Sequence, residues 1–240
     1  MSPRFPELDL LRTLAILGMV IYHAAYDLVT FYGWNLNIDQ GGWLIFQQSI
    51  AITFLTLVGI SFAISYSRTK SDLVWRKFLK RGLIVFGCGM LVSFATYIVD
   101  PVTYVRFGIL HLIGISIILL PLFARQNVQN LILAILVFFV FVVFKPHISH
   151  SLLIPLGFPP TTFQTVDYFP LFPWFGFVLI GLAIGKQFYV QYLEWRKYLT
   201  PLLTTHYSLL THPSRFALLI YLIHQPVLLA MMWMIKILTA

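Results

Sequence analysis

Seven apolar runs, each about as long as a helix that crosses a bilayer, leave this chain very few folds to adopt. They lie at roughly residues 8–31, 43–66, 78–98, 107–124, 128–145, 170–189 and 215–238, close to the ~20 residues a membrane-crossing helix requires. With 59% hydrophobic and only 10% charged residues and a mean hydropathy of +0.86, a soluble domain is excluded. The expected fold class is all-α, a polytopic membrane bundle of about seven transmembrane helices. It is expected to form a single domain over residues 1–240, since no soluble insertion, repeat or low-complexity tract interrupts it. The first run begins with Glu7 and Asp9, exceeds a signal-peptide core and lacks a small-residue cleavage site, so it is expected to stay as a membrane helix.

Basic residues set the orientation. Arg68, Lys70, Arg76, Lys77, Lys80 and Arg81 flank the connection between the second and third runs, and the positive-inside rule puts that connection in the cytoplasm. Alternation then puts Arg4, Arg12, Arg125, Lys186, Arg196, Lys197 and Arg215 on the same side, leaving Arg106, Lys145 and Lys236 outside. The N-terminus is therefore expected inside and the C-terminus outside, in a cell membrane of bacterial (inner) type. The formal net charge of +8 is a topology signal that needs no nucleic-acid partner; the surrounding partners are membrane lipids. The single Cys88 excludes an intramolecular disulfide.

Two connections fall outside. Residues 146–169 (PHISHSLLIPLGFPPTTFQTVDYF) are dense in proline, which stops helices, and a loop of this kind can cap a cavity. Residues 32–42 (YGWNLNIDQGG) carry Trp34, Asn35, Asp39 and Gln40, which could stack on and hydrogen-bond a polar ligand, or simply form an interfacial turn with an aromatic belt.

The sharpest chemical signal is His23 with Asp27 one turn later, inside the first run. An ionisable group at membrane depth costs at least ~2.5 kcal/mol and so asks for a reason. At about 100° per residue, Arg12, His23, Asp9 and Asp27 fall within about 60° of one another, a polar stripe that must face protein or water. Arg12 and His23 are separated by roughly 16 Å along the axis. The bland reading of His23 is a structural hydrogen bonder to a neighbouring helix. The functional one is a base whose tautomer Asp27 fixes and whose imidazolium it stabilises. Adjacency at i and i+4 does not itself assure that contact.

His111 and His224 also lie within helical runs and could converge with His23, while His147, His150, His206 and His212 fall in loops. A three-histidine zinc site is conceivable, but no metal is expected, and a haem bundle would want facing histidine pairs. A retinal protein is disfavoured because Lys236 is four residues from the end; it reads as a snorkelling anchor.

Four blocks, RFPELDLLRTLAILGMVIYHAAYDL, RFGILHLIGIS, FPLFPWFGFVLIGLAIGK and SRFALLIYLIHQPVLL, resemble in order the heparan-alpha-glucosaminide N-acetyltransferase-like catalytic domain family, itself similar to the wider transmembrane acyltransferases that modify glycans. The resemblance implies transfer of an acetyl or other acyl group from cytosolic acyl-CoA to a sugar amine or hydroxyl on the far side. By position, His23 matches the first-helix catalytic histidine of transmembrane acyltransferases, and Asp9 and Arg12 match a D-x-x-R start. His111 and His224 match polar positions with supporting or substrate-binding roles. One departure stands out: lysosomal members are associated with a catalytic histidine in the lumenal stretch after the first helix, and residues 28–42 here contain none. Either His23 takes over or this branch does something different. Larger relatives have additional helices and a lumenal domain, so the acyl-acceptor site of this chain is expected to be simpler or completed by a second copy in a homo-oligomer.

The mechanism that joins these readings docks acetyl-CoA (acyl-CoA) at a cofactor-binding set of Arg12, Asp9, Arg81 and Arg215, with its phosphates near Arg12 and Arg81 or Arg215, and threads the pantetheine arm along the first helix to His23. The catalytic residues are then His23 and Asp27; His111, His224, Trp34, Asn35 and Asp39 are the substrate-binding or supporting set. An acyl-histidine intermediate is the competing route. The rival functions are a small proton- or anion-coupled transporter using the same stripe, and a structural subunit; the small pair Gly181 and Gly185 serves helix packing in any of them.

Overall fold

A computed structural model describes residues 5–126, 128–144, 149–190 and 212–239; Arg4, Lys145, His147, Arg196, Lys197 and His206 lie outside them. Every apolar run is helical. The helices are α1 (Pro6–Tyr32), α2 (Gly41–Ser67), α3 (Val74–Val99), α4 (Ile109–Phe123), α5 (Val128–Phe144), α6 (Leu171–Ile184, extended by a π turn Gly185–Val190) and α7 (Ala217–Thr239). Short 3₁₀ turns at Ser71–Leu73, Ser151–Leu156 and Pro213–Phe216 join them. Five of these segments are long and apolar enough to cross a membrane. The other two, α4 with 15 residues and α5 with 17, rise only about 22 and 25 Å, short of the ~30 Å hydrocarbon core.

The helix limits follow local chemistry. Pro6 occupies the first turn of α1, Glu7 and Asp9 complement the positive helix start, and Gly33 at φ 67° closes the far end by donating its N–H to the Leu28 carbonyl. Along α1, Leu11, Leu14, Leu17 and Ile21 are exposed while Leu8, Ala15, Ile16, Met19, Tyr22 and Ala25 are buried. An apolar exposed face of this kind belongs against lipid. Helix α4 begins where Gly108 takes an extended conformation and His111 accepts the Gly108 N–H at 3.2 Å. At its other end Lys186 Nζ donates to the carbonyls of Ala124 (2.7 Å) and Gln126 (2.8 Å), and Asn130 Nδ2 donates to Phe123 (3.2 Å) and Gln126 (2.7 Å). Side chains thus satisfy carbonyls that a helix end leaves without partners.

The chain divides into two compact units. The first joins residues 1–54 with 196–240: α1, the opening half of α2, the turn Pro213–Phe216 and α7. Gly18 of α1 there lies against Ile50 and Phe46. The second is residues 55–195, in which α3 packs on α4 and α5 on α6. Within it α2 and α6 approach so closely that a Cβ at Gly181 would strike the Thr56 carbonyl and one at Gly59 the Val178 carbonyl.

The proline-rich connection is ordered in its described part. His150 is exposed and caps the turn Ser151–Leu156 by accepting from the Leu152 N–H at 3.2 Å. Thr165 Oγ1 donates to Tyr104 O (2.8 Å), Val166 N to Thr103 O (2.8 Å) and Phe169 N to Phe107 O (3.0 Å), which bind this connection to residues 100–108. Asp167 Oδ2 accepts the Ile109 N–H at 3.2 Å, placing a carboxylate at the start of α4. Asp100 starts the facing connection. Its carboxylate accepts from the Thr103 hydroxyl (2.6 Å) and the Val102 N–H (2.8 Å), and these bonds hold its carboxyl below the usual aspartate range.

Gly181→Val should push α2 and α6 apart at a cost of about 1–3 kcal/mol and lower the melting temperature. Gly87→Ala, at a position with nothing within 4 Å, should leave it unchanged or higher. For Asp100 the folded state favours the ionised form. Its stabilisation is therefore complete above the ordinary aspartate range and disappears as pH falls through the lower folded value. Thermal melts of Asp100→Asn and wild type should differ at neutral pH and begin to draw together as pH falls below about 4.

Candidate functional site

The polar stripe of α1 meets α7 within the first unit. The rings of His23 and His224 lie edge to face with centroids 4.7 Å apart, and one turn further along α1 the Gln225 amide donates from Nε2 to Asp27 Oδ1 at 2.7 Å. Asp27 is fully buried and His224 is 8% exposed. Pro226 follows directly; lacking an N–H, it cannot close the helical bond to the Leu222 carbonyl.

Backbone carbonyls fix the histidine tautomers. His23 Nδ1 is 2.9 Å from the Met19 carbonyl, and His224 Nδ1 is 2.7 Å from the Tyr221 carbonyl. A carbonyl only accepts, so each Nδ1 carries a hydrogen and each neutral ring keeps its lone pair at Nε2. His111 is reversed. Its Nδ1 accepts from the Gly108 N–H, so Nε2 holds the hydrogen and faces Ser93 Oγ at 3.4 Å.

The expected orienter of His23 needs correction. Asp27 bonds Gln225, and the imidazole is oriented by the carbonyl of Met19. Helical side chains lean toward the N-terminus of their helix, so the His23 ring swings over the turn before it while Asp27 is drawn across to α7. Gln225 is the residue that sequence reasoning passed over. The available signal was an amide beside His224 in an apolar helix, immediately before Pro226.

Of the remaining candidates, Asp9 and Arg12 form an ion pair at 2.9 Å, both partly exposed; the Arg12 charge is thus shared with a carboxylate. Arg215 is exposed on the turn Pro213–Phe216, which packs on α1. Trp34, Asn35 and Asp39 are exposed on the connection after α1. Arg81 is exposed on α3 in the second unit. His111 belongs to that second unit too, where it is buried, stacked on Phe107 (5.5 Å) and edge-on to Phe86 (5.1 Å), and serves as the cap of α4. The three membrane histidines therefore appear as a pair and a cap, and among the described residues no three His, Cys, Asp or Glu side chains form a metal-ligand group. Nitrogen-15 NMR of the protein in nanodiscs, above the imidazole titration range, should report Nδ1–H tautomers for His23 and His224 and an Nε2–H tautomer for His111. An Nε2–H tautomer at His23 would contradict the Met19 contact.

Comparison with known proteins identifies the family. The family described as heparan-alpha-glucosaminide N-acetyltransferase, catalytic, matches residues 4–226, a stretch that includes His23, Asp27, His111, His224, Gln225 and Pro226. Searches of curated proteins and of solved structures return no match. With its apolar helices the chain is an integral membrane protein, and it belongs to the heparan-alpha-glucosaminide N-acetyltransferase catalytic family, a transmembrane acetyltransferase family.

Proposed function

We propose that this protein transfers an acetyl or other acyl group from cytosolic acyl-CoA to an amine or hydroxyl of an extracytoplasmic sugar or glycan. The observation that carries the reading is the His23 imidazole: on the polar face of α1, its Nδ1–H is spent on Met19, which leaves the Nε2 lone pair of the neutral ring to act as a base. In the reaction, Nε2 removes the proton from the attacking N–H or O–H, the nucleophile adds to the thioester carbonyl, and the C–S bond breaks. The imidazolium then returns its proton to the departing CoA thiolate. Asp27, a turn away and held by Gln225, adds a negative charge that favours the imidazolium. His224 packs against the ring and limits its rotation.

Further elements of the reading concern topology and binding. All seven helices pass through the membrane, α4 and α5 where the bilayer thins or the protein supplies the missing length. The N-terminus is cytoplasmic and the C-terminus outside, in a bacterial-type inner membrane. Residues 1–240 then act as one acyltransferase domain, supported by a family match that runs through both compact units. Arg12 and Arg215 would attract the CoA phosphates; Asp9 restrains Arg12 until a phosphate competes for it. Trp34, Asn35 and Asp39, exposed after α1, are suited to a sugar, and a second copy of the chain would extend that surface. An acyl-histidine intermediate would use the same Nε2 lone pair as nucleophile and would give ping-pong kinetics.

The test uses full-length protein in nanodiscs with labelled acetyl-CoA and glucosamine. His23→Ala should lower transfer by about 10²–10⁴-fold, the usual worth of a positioned base, while acetyl-CoA still stabilises the protein against heat. Undiminished transfer by folded His23→Ala protein removes the assigned role, and absence of acyl-CoA binding by wild type removes the enzyme reading.

A further inference from the structure

The α1–α7 contact spends three hydrogen-bond donors and leaves three buried acceptor sites behind. The donor of His23 goes to Met19 O, that of His224 to Tyr221 O, and a Gln225 amide N–H to Asp27 Oδ1. A carboxylate only accepts, which forces the amide nitrogen of Gln225 toward Asp27 and turns Oε1 away from it. Among the described residues, three atoms at this contact are buried without a hydrogen-bond partner: Asp27 Oδ2, Gln225 Oε1 and His224 Nε2. With Asp27 ionised, all three are lone-pair sites. Buried polar groups are almost always satisfied, and no buried oxygen or nitrogen of this set can satisfy another.

We propose that Asp27 Oδ2, Gln225 Oε1 and His224 Nε2 form a subsite that binds the acyl acceptor through its own O–H and N–H groups and rejects a carboxylate there. This rests on the acyl-transfer reading, and it moves Asp27 and Gln225 from supporting the base to selecting the substrate. The ligand class is a hydroxyl- or amine-bearing group that presents hydrogens to the site. An anionic group meets three lone pairs and one negative charge, against which the second N–H of the Gln225 amide is the one donor the three side chains offer. Gln225 sets the polarity of the whole cluster, because its bond to Asp27 decides which carboxylate oxygen and which end of the amide remain available. His23 Nε2, beside the His224 ring, would then receive the proton of a group already held by its neighbouring hydrogens.

Asp27→Asn tests this with little change in shape. Asparagine keeps an oxygen for the Gln225 N–H but replaces the Oδ2 lone pairs with an NH₂ donor and removes the charge. Binding of glucosamine, glucose and glucuronate to full-length protein in nanodiscs is measured by saturation-transfer NMR, which needs no acyl donor. Wild type should bind glucosamine and glucose at least tenfold more tightly than glucuronate; glucosamine ahead of glucose indicates that an amine fills the site, and equality indicates hydroxyls. In Asp27→Asn that preference should collapse tenfold or more. Gln225→Met, which keeps length but removes both amide atoms, should weaken glucosamine and glucose without improving glucuronate. A folded Asp27→Asn protein with the wild-type preference, or a wild type that binds none of the three because water alone fills the site, overturns the subsite. Acetyl-CoA titration on the same samples reports separately on the acyl-transfer reading: sugar selectivity that responds to Asp27→Asn without acetyl-CoA binding supports the subsite and removes the enzyme.

Discussion

A carboxylate inside an apolar helix has to be answered by another helix, and here the Gln225 amide answers Asp27 at 2.7 Å. No water is at hand in a hydrocarbon environment to do so, and an unanswered charge at that depth is expensive. The answer fixes more than one contact. It brings α7 against α1 at the level where His224 meets His23, and so turns a polar stripe on one helix into a site with two walls. The chemistry then depends on small backbone details, since the carbonyls of Met19 and Tyr221 decide which imidazole nitrogens keep a lone pair.

The helices were legible because membrane length and hydropathy are strong signals: the run at 43–66 becomes Gly41–Ser67 and the run at 128–145 becomes Val128–Phe144. Less legible was the shortness of α4. The apolar run continues across Phe107 and Gly108, but an extended Gly108 and the reach of Asp167 to Ile109 start the helix late, and such a long-range partner has no local signature. His23, Asp27 and His224 stood out as ionisable groups in apolar runs. Their partners did not, because Gln225 is neutral and a backbone carbonyl has no letter in a sequence. His111 resembled the other two histidines in sequence context alone; three residues from an extended glycine, it spends its ring on a helix start.

Family membership and geometry constrain function in different ways. The match over residues 4–226 gives the class of reaction. The contact between α1 and α7 supplies the atoms on which the proposed function rests, without relying on a lumenal histidine after the first helix, which this chain does not have between residues 28 and 42. In the proposed reading, the base, its orienting carbonyl and the neighbouring lone pairs come from two helices that meet at the Asp27–Gln225 bond and the His23–His224 ring contact.

The capping of α4 has a consequence for how the protein responds to its surroundings. His111 and Asp167 hold its first turn, while Lys186 and Asn130 take up carbonyls at and just beyond its last. A helix closed at both ends by its own protein owes neither end to headgroups or water. Lys186, counted in the sequence among the cytoplasmic-side cations, acts here as an internal rivet whose charge is spent on two carbonyls. Changes in lipid thickness would then be felt by the long helices, which must match the bilayer, while α4 keeps its length and carries His111 with it as a fixed strut.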